Sequence, residues 1–308
     1  MASKIRKILF YCDGARGELN ALNRAHTFAG TVGAELLVMG VVQEVSTSDV
    51  RLRKSISQIQ KTLIHDRGIE LDGLIAGIKA DKAKRVSIKK LVVPGKDYLE
   101  VIRQATSGKT DLIIKSVNSK TAISNAIFGN TDIRLMHFSP CPVMVLKPSR
   151  RGSMKSVAVA VDPTMESVEV ANLNSRLLET GVYVSEAEGA ELHLLHVLEH
   201  PLEEEKSANK DAYMKLGKSL KADLERRLEK LAEDISNLKV VDHVLKGKPD
   251  SAIAKFVAKN DIDLLVMGSV ARSGLPGLLV GNTAERIVSQ VDCSVLVVKP
   301  DGWKTPVL

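Results

Sequence analysis

Apolar and polar positions follow two rhythms along this chain. Nearly continuous apolar runs, from Ile5 to Tyr11, Leu36 to Val42 and Lys89 to Val93, have the length and β-branched content of strands covered on both faces. Between them the apolar positions recur at helical spacing. Leu19, Leu22, Ala25, His26 and Ala29 predict a helix closing at Gly33, and Ile56, Ile59, Leu63, Leu71, Leu74, Ile75 and Ile78 predict a longer one, with Gly68 and Gly73 as its expected breaks. The third run stops at Pro94-Gly95-Lys96, and a further helix, strand, loop, helix and strand lead to Lys147-Pro148. Strands that alternate with helices predict an α/β fold built on a parallel, doubly covered sheet.

After the short polar stretch from Ser149 to Ser153 the pattern begins again. Val157 to Val161 ends in Asp162-Pro163 as the first run ends in Asp13-Gly14, and Gly-Ala-Glu-Leu occurs at both 33–36 and 189–192. From the third strand onward the copies keep a constant offset of 152 residues. Gly95 matches Gly247, Gly129-Asn130-Thr131 matches Gly281-Asn282-Thr283, Cys141 matches Cys293 and Lys147-Pro148 matches Lys299-Pro300. Such register marks an internal duplication. The expected organisation is a first domain over residues 1–148, a linker over 149–154 and a second domain over 155–308. In the second copy Leu216, Leu220, Leu224, Leu228, Leu231 and Ile235 form an apolar stripe, read as core against the sheet because it is too short for a coiled-coil seam.

The copies differ in the stretch that carries chemistry. In the second, a buried strand from Asp263 leads through a glycine-rich loop to a helix opening at Gly281-Asn282-Thr283, and then to another strand. Glycines let backbone approach a ligand, and a helix amino terminus offers unpaired N–H groups and a positive dipole end, so the stretch suits phosphate. An ordinary helix cap at Asn282-Thr283 is the simpler alternative for those two residues. In the first copy Lys115-Ser116-Val117-Asn118-Ser119 replaces Met267-Gly268-Ser269-Val270-Ala271. A Ser116 side chain in place of Gly268 is expected to crowd the cradle, which leaves the second copy as the candidate.

Charge sharpens this contrast without naming a partner. Residues 1–153 carry 25 Lys and Arg against 13 Asp and Glu, whereas residues 154–308 carry 19 against 24. The basic run at Lys79, Lys82, Lys84, Arg85, Lys89 and Lys90 has no interleaved aromatics and belongs to no nucleic-acid motif, so it reads as a solvated face. No apolar run reaches the length of a membrane span, and the basic start before Ile8 lacks a signal cleavage pattern. Three cysteines, Cys12, Cys141 and Cys293, show no metal spacing and point to a reducing cytoplasm. His193 and His196 fall on opposite faces of an extended strand, so they read as structural and cannot share one ion. No Ser–His–Asp set, paired carboxylates or Walker loop is evident, which argues against an efficient enzyme.

Taken together, the loop, the strand-end Asp and the duplication make the chain resemble the universal stress protein family, over nearly its whole length and twice. The family motif is a glycine, two residues, a glycine, nine residues and a glycine followed by Ser or Thr, after the fourth of five parallel strands. Gly268 takes the first place and Gly281 the last. Ala271 stands at the second glycine, and Asn282 replaces the Ser or Thr with Thr283 beside it. Gly281-Asn282-Thr283-Ala284-Glu285 and the tandem arrangement look like the family's E-type members.

The resemblance implies two Rossmann-like domains packed as an intramolecular pseudo-dimer, in a chain that is monomeric or a further homodimer. It also implies ATP, with or without Mg2+, over the strand ends of the second domain, with at most slow hydrolysis and a stress-response role. Carried over, Asp162 holds the ribose or adenine edge and Val197 meets adenine through its backbone. Met267, Gly268, Val270 and Ala271 line the sugar and phosphate path, and Gly281, Asn282, Thr283 and Ala284 cap the phosphates. The alternative is a binder of acidic metabolites or a partner-docking protein with a vestigial nucleotide site. A metal enzyme centred on Cys12-Asp13 ranks last.

Overall fold

A computed structural model describes residues 4–15, 17–46, 48–79, 85–117, 128–148, 153–164, 167–199, 210–269 and 282–308, with the backbone alone at 50, 210–213 and 282–283. The chain divides into two compact units, Ser3–Gly152 with Lys304–Leu308, and Ser153–Trp303. Each holds five parallel strands. In the first, β1 (Lys7–Cys12), β2 (Glu35–Val42), β3 (Ile88–Pro94), β4 (Leu112–Ser116) and β5 (Val143–Leu146) lie in the order β3-β2-β1-β4-β5. In the second, β6 (Ser156–Ala160), β7 (Glu191–Leu198), β8 (Val240–Lys246), β9 (Leu264–Gly268) and β10 (Ser294–Val298) repeat that order as β10-β9-β6-β7-β8. The strand order reverses direction beside β1 and β6. In open parallel sheets that switch point, at the carboxyl edge, is where ligands bind.

Helices cover both faces. In the first unit α1 (Glu18–Val32) and α2 (Arg53–Ala76) take one face, and α3 (Asp97–Gly108) and α4 (Asn130–Phe138) take the other. The second unit repeats this with α5 (Val168–Glu188) and α6 (Lys210–Ala232), opposite α7 (Pro249–Lys259) and α8 (Asn282–Gln290). The central strands are wholly buried, as their continuous apolar runs require: Leu9, Phe10, Val159, Leu265 and Val266 expose none of their surface. The predicted α/β class and both sets of five strands are therefore present.

Several structural devices occur in both copies. Asp111 accepts hydrogen bonds from the Arg6 and Lys7 amides at 2.8 and 2.9 Å, and Asp263 does the same for Lys155 and Ser156 at 2.7 and 3.2 Å. Gly95 and Gly247 leave the third strand of each unit at φ +143° and +116°, values a side chain resists, and their amides bond Val42 and Leu198.

Two details depart from the sequence reading. Gly68 and Gly73 do not break α2, which runs unbroken to Ala76, and the Lys90 ammonium donates to the Gly68 carbonyl at 3.1 Å. The stripe of α6 is core only in its second half. Leu224 and Leu228 are buried, but Leu216 and Leu220 are 51% and 39% exposed, and Ile235 lies beyond the helix end.

The histidines separate as expected. His193 turns toward α7, where its Nδ1 lies 3.0 Å from His243 Nε2 on β8 and both rings meet Phe256. His196 faces the other way. Among the described residues no group of three His, Cys, Asp or Glu could hold a metal ion, and no helix is long and apolar enough to cross a membrane.

Burial lowers the pKa of both His193 and His243, and each is modulated by charged neighbours. The unfolded chain therefore takes up more protons than the folded one below the ordinary imidazole value of about 6.5. Stability from this pair is complete above that pH and is lost as pH falls through the lowered folded values. Urea unfolding between pH 7.5 and 5 should show this decline, and His243→Leu should flatten it; an unchanged slope in the variant would assign the decline to other groups.

Candidate functional site

At the carboxyl edge, the chain leaving β1 carries Asp13 and the chain leaving β6 carries Asp162. Both are anchored through their backbones by the helix that follows. In the first unit the buried Glu18 carboxylate accepts from the amides of Asp13 and Gly14 at 2.7 and 3.2 Å. Burial pushes that carboxyl above its ordinary pKa, against the pull of those two N–H donors. In the second unit Asn174 of α5 does the work with both ends of its amide: Oδ1 accepts from Asp162 N at 3.0 Å and Nδ2 donates to Asp162 O at 2.7 Å.

The carbonyl just before each Asp is also capped. Arg67 of α2 donates from Nη2 to Cys12 O at 2.9 Å. It fits because Gly40, level with Cys12 on β2, has no side chain: a Cβ there would meet Arg67 Nε at 3.0 Å. In the second copy the residue matching Gly40 is His196, whose Nδ1 lies 3.0 Å from Val161 O.

The side chains then diverge. In the first unit Lys115, 1% exposed, places its ammonium 2.7 Å from Asp13 Oδ2, 2.8 Å from Asp132 Oδ1 and 2.8 Å from its neighbour's carbonyl, Ser116 O. Asp132 sits in the first turn of α4 and also accepts from the Gly129 amide at 2.7 Å. Burial works against the Lys115 charge, but Asp132 and Asp13 outweigh it and hold the amine above its ordinary pKa. At the 152-residue offset, the partners of Lys115 and Asp132 are Met267 and Ala284, both uncharged and buried. Asp162, with 18% of its side chain exposed, has Oδ1 bonded by the Thr164 amide at 3.1 Å and by the Thr164 hydroxyl at 2.5 Å.

Asp162, Val197, Met267, Gly268 and Ala284 thus gather around the switch point of the second unit, on the ends or flanks of β6, β7, β9 and α8. Val197 is the penultimate residue of β7, buried and level with Leu245. Asn282 and Thr283 open α8, with their side chains outside the described residues. Val270, Ala271 and Gly281 lie outside the described residues altogether.

A Cβ at Gly268 would meet Leu173 Cδ2 of α5 at 3.0 Å, so this glycine lets helix and sheet approach closely. The sequence reading missed Lys115 and Asp132, although a lone lysine inside the apolar run Leu112–Val117 was a visible signal. Cys12, placed at the same edge, is fully buried and its thiol is pushed far up by burial, so it offers no reactive thiolate for a metal or nucleophile role.

A cavity of about 550 Å³ lies beside the β1–α1 turn of the first unit, lined in part by Gly14, Gly17, Glu18, Arg67 and Glu70. Among the described residues its charged lining is Glu18, Glu70 and Arg67, and the Arg67 guanidinium is paired with Glu70 at 2.5 Å.

Removing one member of a buried ion group strands the others. Lys115→Met should cost about 3–5 kcal/mol in urea unfolding, and Lys115→Met/Asp132→Ala, which installs the residue types of the second unit, should cost less than the single change. A double variant as unstable as the single one would show that Asp132 is not part of the balance.

Comparison with known proteins agrees with the duplicated fold. The sequence profile of the Universal stress protein family matches residues 4–147 and again 154–299. Similar curated chains include Universal stress protein E of Photorhabdus laumondii, 27% identical over 224 residues, which are 71% of this chain and 70% of that one. Universal stress protein E of Escherichia coli K12 is 28% identical over 228 residues, with the same two shares. Among solved structures, the functionally unknown protein PA1789 of Pseudomonas aeruginosa PAO1 superposes with a TM-score of 0.69 at 22% identity, covering 96% of this chain and 93% of that one. A putative universal stress protein of P. aeruginosa UCBPP-PA14 gives 0.63 at 24% identity, covering 96% and 94%. With two profile matches spanning nearly its full length, each on one five-stranded unit, the chain belongs to the universal stress protein family.

Proposed function

We propose that this protein is a stress-response regulator that binds one ATP per chain, over the carboxyl edge of its second unit. The observation that carries this reading is the contrast between the two strand-end aspartates. In the first unit Asp13 is held by a buried ammonium that also ties down α4, whereas in the second the matching positions are Met267 and Ala284. The second edge thereby keeps an anchored, partly exposed carboxylate beside apolar walls and the amino terminus of α8.

Each part suits a piece of the nucleotide. Asp162 accepts from ribose hydroxyls, Val197 meets adenine through its backbone, and Met267 packs against the nucleoside. Gly281, Asn282, Thr283 and Ala284 supply backbone N–H groups to phosphate at the positive end of the helix dipole. Val270 and Ala271 complete the loop between them. Mg2+ would arrive with the phosphates, since that ion keeps most of its water and needs few protein ligands. No residue is assigned as a general base, so the role rests on binding, with at most slow hydrolysis, and the working place is the cytoplasm.

Equilibrium dialysis with ATP-Mg should return a stoichiometry of one per chain. At a free concentration of about 100 Kd the ligand should stabilise the fold by about 2.7 kcal/mol. Asp162→Ala should abolish most of that stabilisation while leaving the unliganded protein folded. Absence of binding at millimolar ATP would refute the reading, and two nucleotides per chain would refute its assignment to the second unit.

A further inference from the structure

We infer that the first unit carries a phosphate-binding site built from Arg134 of α4, Lys96 and the hydroxyl of Tyr98, at a place where the second unit holds an internal ion pair. This site is separate from the ATP site proposed above, which belongs to the other unit.

The 152-residue register pairs Arg134 with Arg286, Lys96 with Lys248 and Tyr98 with Asp250. In the second unit Arg286 Nε stands 3.1 Å from Asp250 Oδ2, so a carboxylate in the first turn of α7 neutralises the guanidinium of α8. In the first unit Tyr98 stands in place of that carboxylate. Arg134 cannot respond by shedding its proton, because a guanidinium keeps its charge at any physiological pH.

Arg134 folds back along α4. Its Nε donates to Asn130 Oδ1 at 3.0 Å and its Nη1 to the Tyr98 hydroxyl at 3.2 Å, with the guanidinium carbon 4.9 Å from the ring centroid. Two of the five N–H groups of the side chain are thereby used. The rest, including both on Nη2, have no acceptor among the described residues. The exposed Lys96 brings its ammonium to 5.2 Å from the same ring. A π-face attracts cations but carries no net charge, so two of them gather there without being neutralised. Tyr98 is only 9% exposed and rests against Phe138, which fixes its place. Its oxygen accepts from Arg134, and its hydroxyl hydrogen has no acceptor among the described residues.

The carboxylates of the neighbouring elements are committed elsewhere. Asp97 hydrogen-bonds the Tyr11 hydroxyl, Glu100 pairs with Arg103, and Asp132 is held by Lys115. Residues 118–127, which precede α4 in the chain, include no Asp or Glu. A ligand for this place needs negative charge and several acceptor oxygens. A carboxylate offers one charge and two oxygens to two cations and a hydroxyl. A phosphate group offers up to two charges and three oxygens, in a geometry that the planar guanidinium fork matches. Inorganic phosphate and a phosphomonoester both present that group.

Isothermal titration of the full chain without nucleotide tests this, with inorganic phosphate in one arm and glycerol phosphate in the other. At least one probe should bind, and the tighter arm identifies the source of the phosphate. Arg134→Gln should weaken that binding about tenfold or more, as expected for losing a charge-assisted contact. Tyr98→Asp, which installs the ion pair of the second unit, should weaken it similarly, whereas Asp162→Ala should leave it unchanged. Tyr98 is buried, so should Tyr98→Asp fold poorly, Arg134→Gln at its partly exposed position decides alone. No binding of either probe at millimolar concentration overturns the inference, and so does binding that Arg134→Gln leaves unchanged. Both outcomes leave the ATP reading standing, since that fails only if the chain does not bind ATP or binds it elsewhere.

Discussion

An open parallel sheet has an unavoidable polar problem at its carboxyl edge. Where the strand order reverses, neighbouring connections depart to opposite faces, and carbonyls, amides and any acidic side chain at the strand ends are left facing a crevice. Burying such groups without partners costs several kcal/mol, so they must be met by water, by a ligand or by the chain itself. Much of what distinguishes the two halves of this protein follows from how each meets that demand. The first half answers internally, with Lys115 reaching Asp13 and Asp132. The second keeps its Asp at the edge and lines the surroundings with Met267 and Ala284.

The internal answer has a physical cost that explains its completeness. An ammonium taken out of water is tolerated only when its counter-charges and remaining hydrogen-bond capacity are satisfied. Lys115 meets two carboxylates and the Ser116 carbonyl, and Asp132 in turn holds the Gly129 amide. The same group fixes the start of α4 to the end of β1, a task that a bound phosphate and nucleoside would perform in a ligand-binding copy.

How much of this was legible in the sequence depends on the range of the interaction. The strand and helix rhythms, the 152-residue register and the strand-end aspartates are local or periodic signals, and each led to an element that is present. The charged triad was harder to read because Asp132 lies 17 positions after Lys115 and Asp13 lies 102 before it; only the fold brings them within 3 Å. The duplication still held the clue, since a charge standing opposite Met267 and another opposite Ala284 are paired changes. A missing side chain at Gly268 announces close approach but not by what, and the neighbour shown is Leu173 of a packing helix. Gly68 and Gly73 were misjudged because a glycine costs a helix only about 1 kcal/mol relative to alanine, which the rest of α2 outweighs.

The devices that the copies share and those they do not lie at opposite ends of the strands. Asp111 and Asp263 pin the amino edge of the first strand in each unit to the start of the fourth, with nearly the same bonds. At the carboxyl edge, by contrast, the cap on the strand-end carbonyl comes from α2 in one unit and β7 in the other, and the anchor on the Asp amide is Glu18 in one and Asn174 in the other. Strand pairing and helix packing are set along the length of the sheet and at its amino edge, so exchanges at the carboxyl edge leave the register untouched provided each polar group finds some partner. That separation is what lets one copy tie its strand-end Asp to a buried ammonium while the other bonds it through Thr164 and places Met267 and Ala284 at the matching positions. The identity of the partner, not the need for one, is where the two halves could diverge.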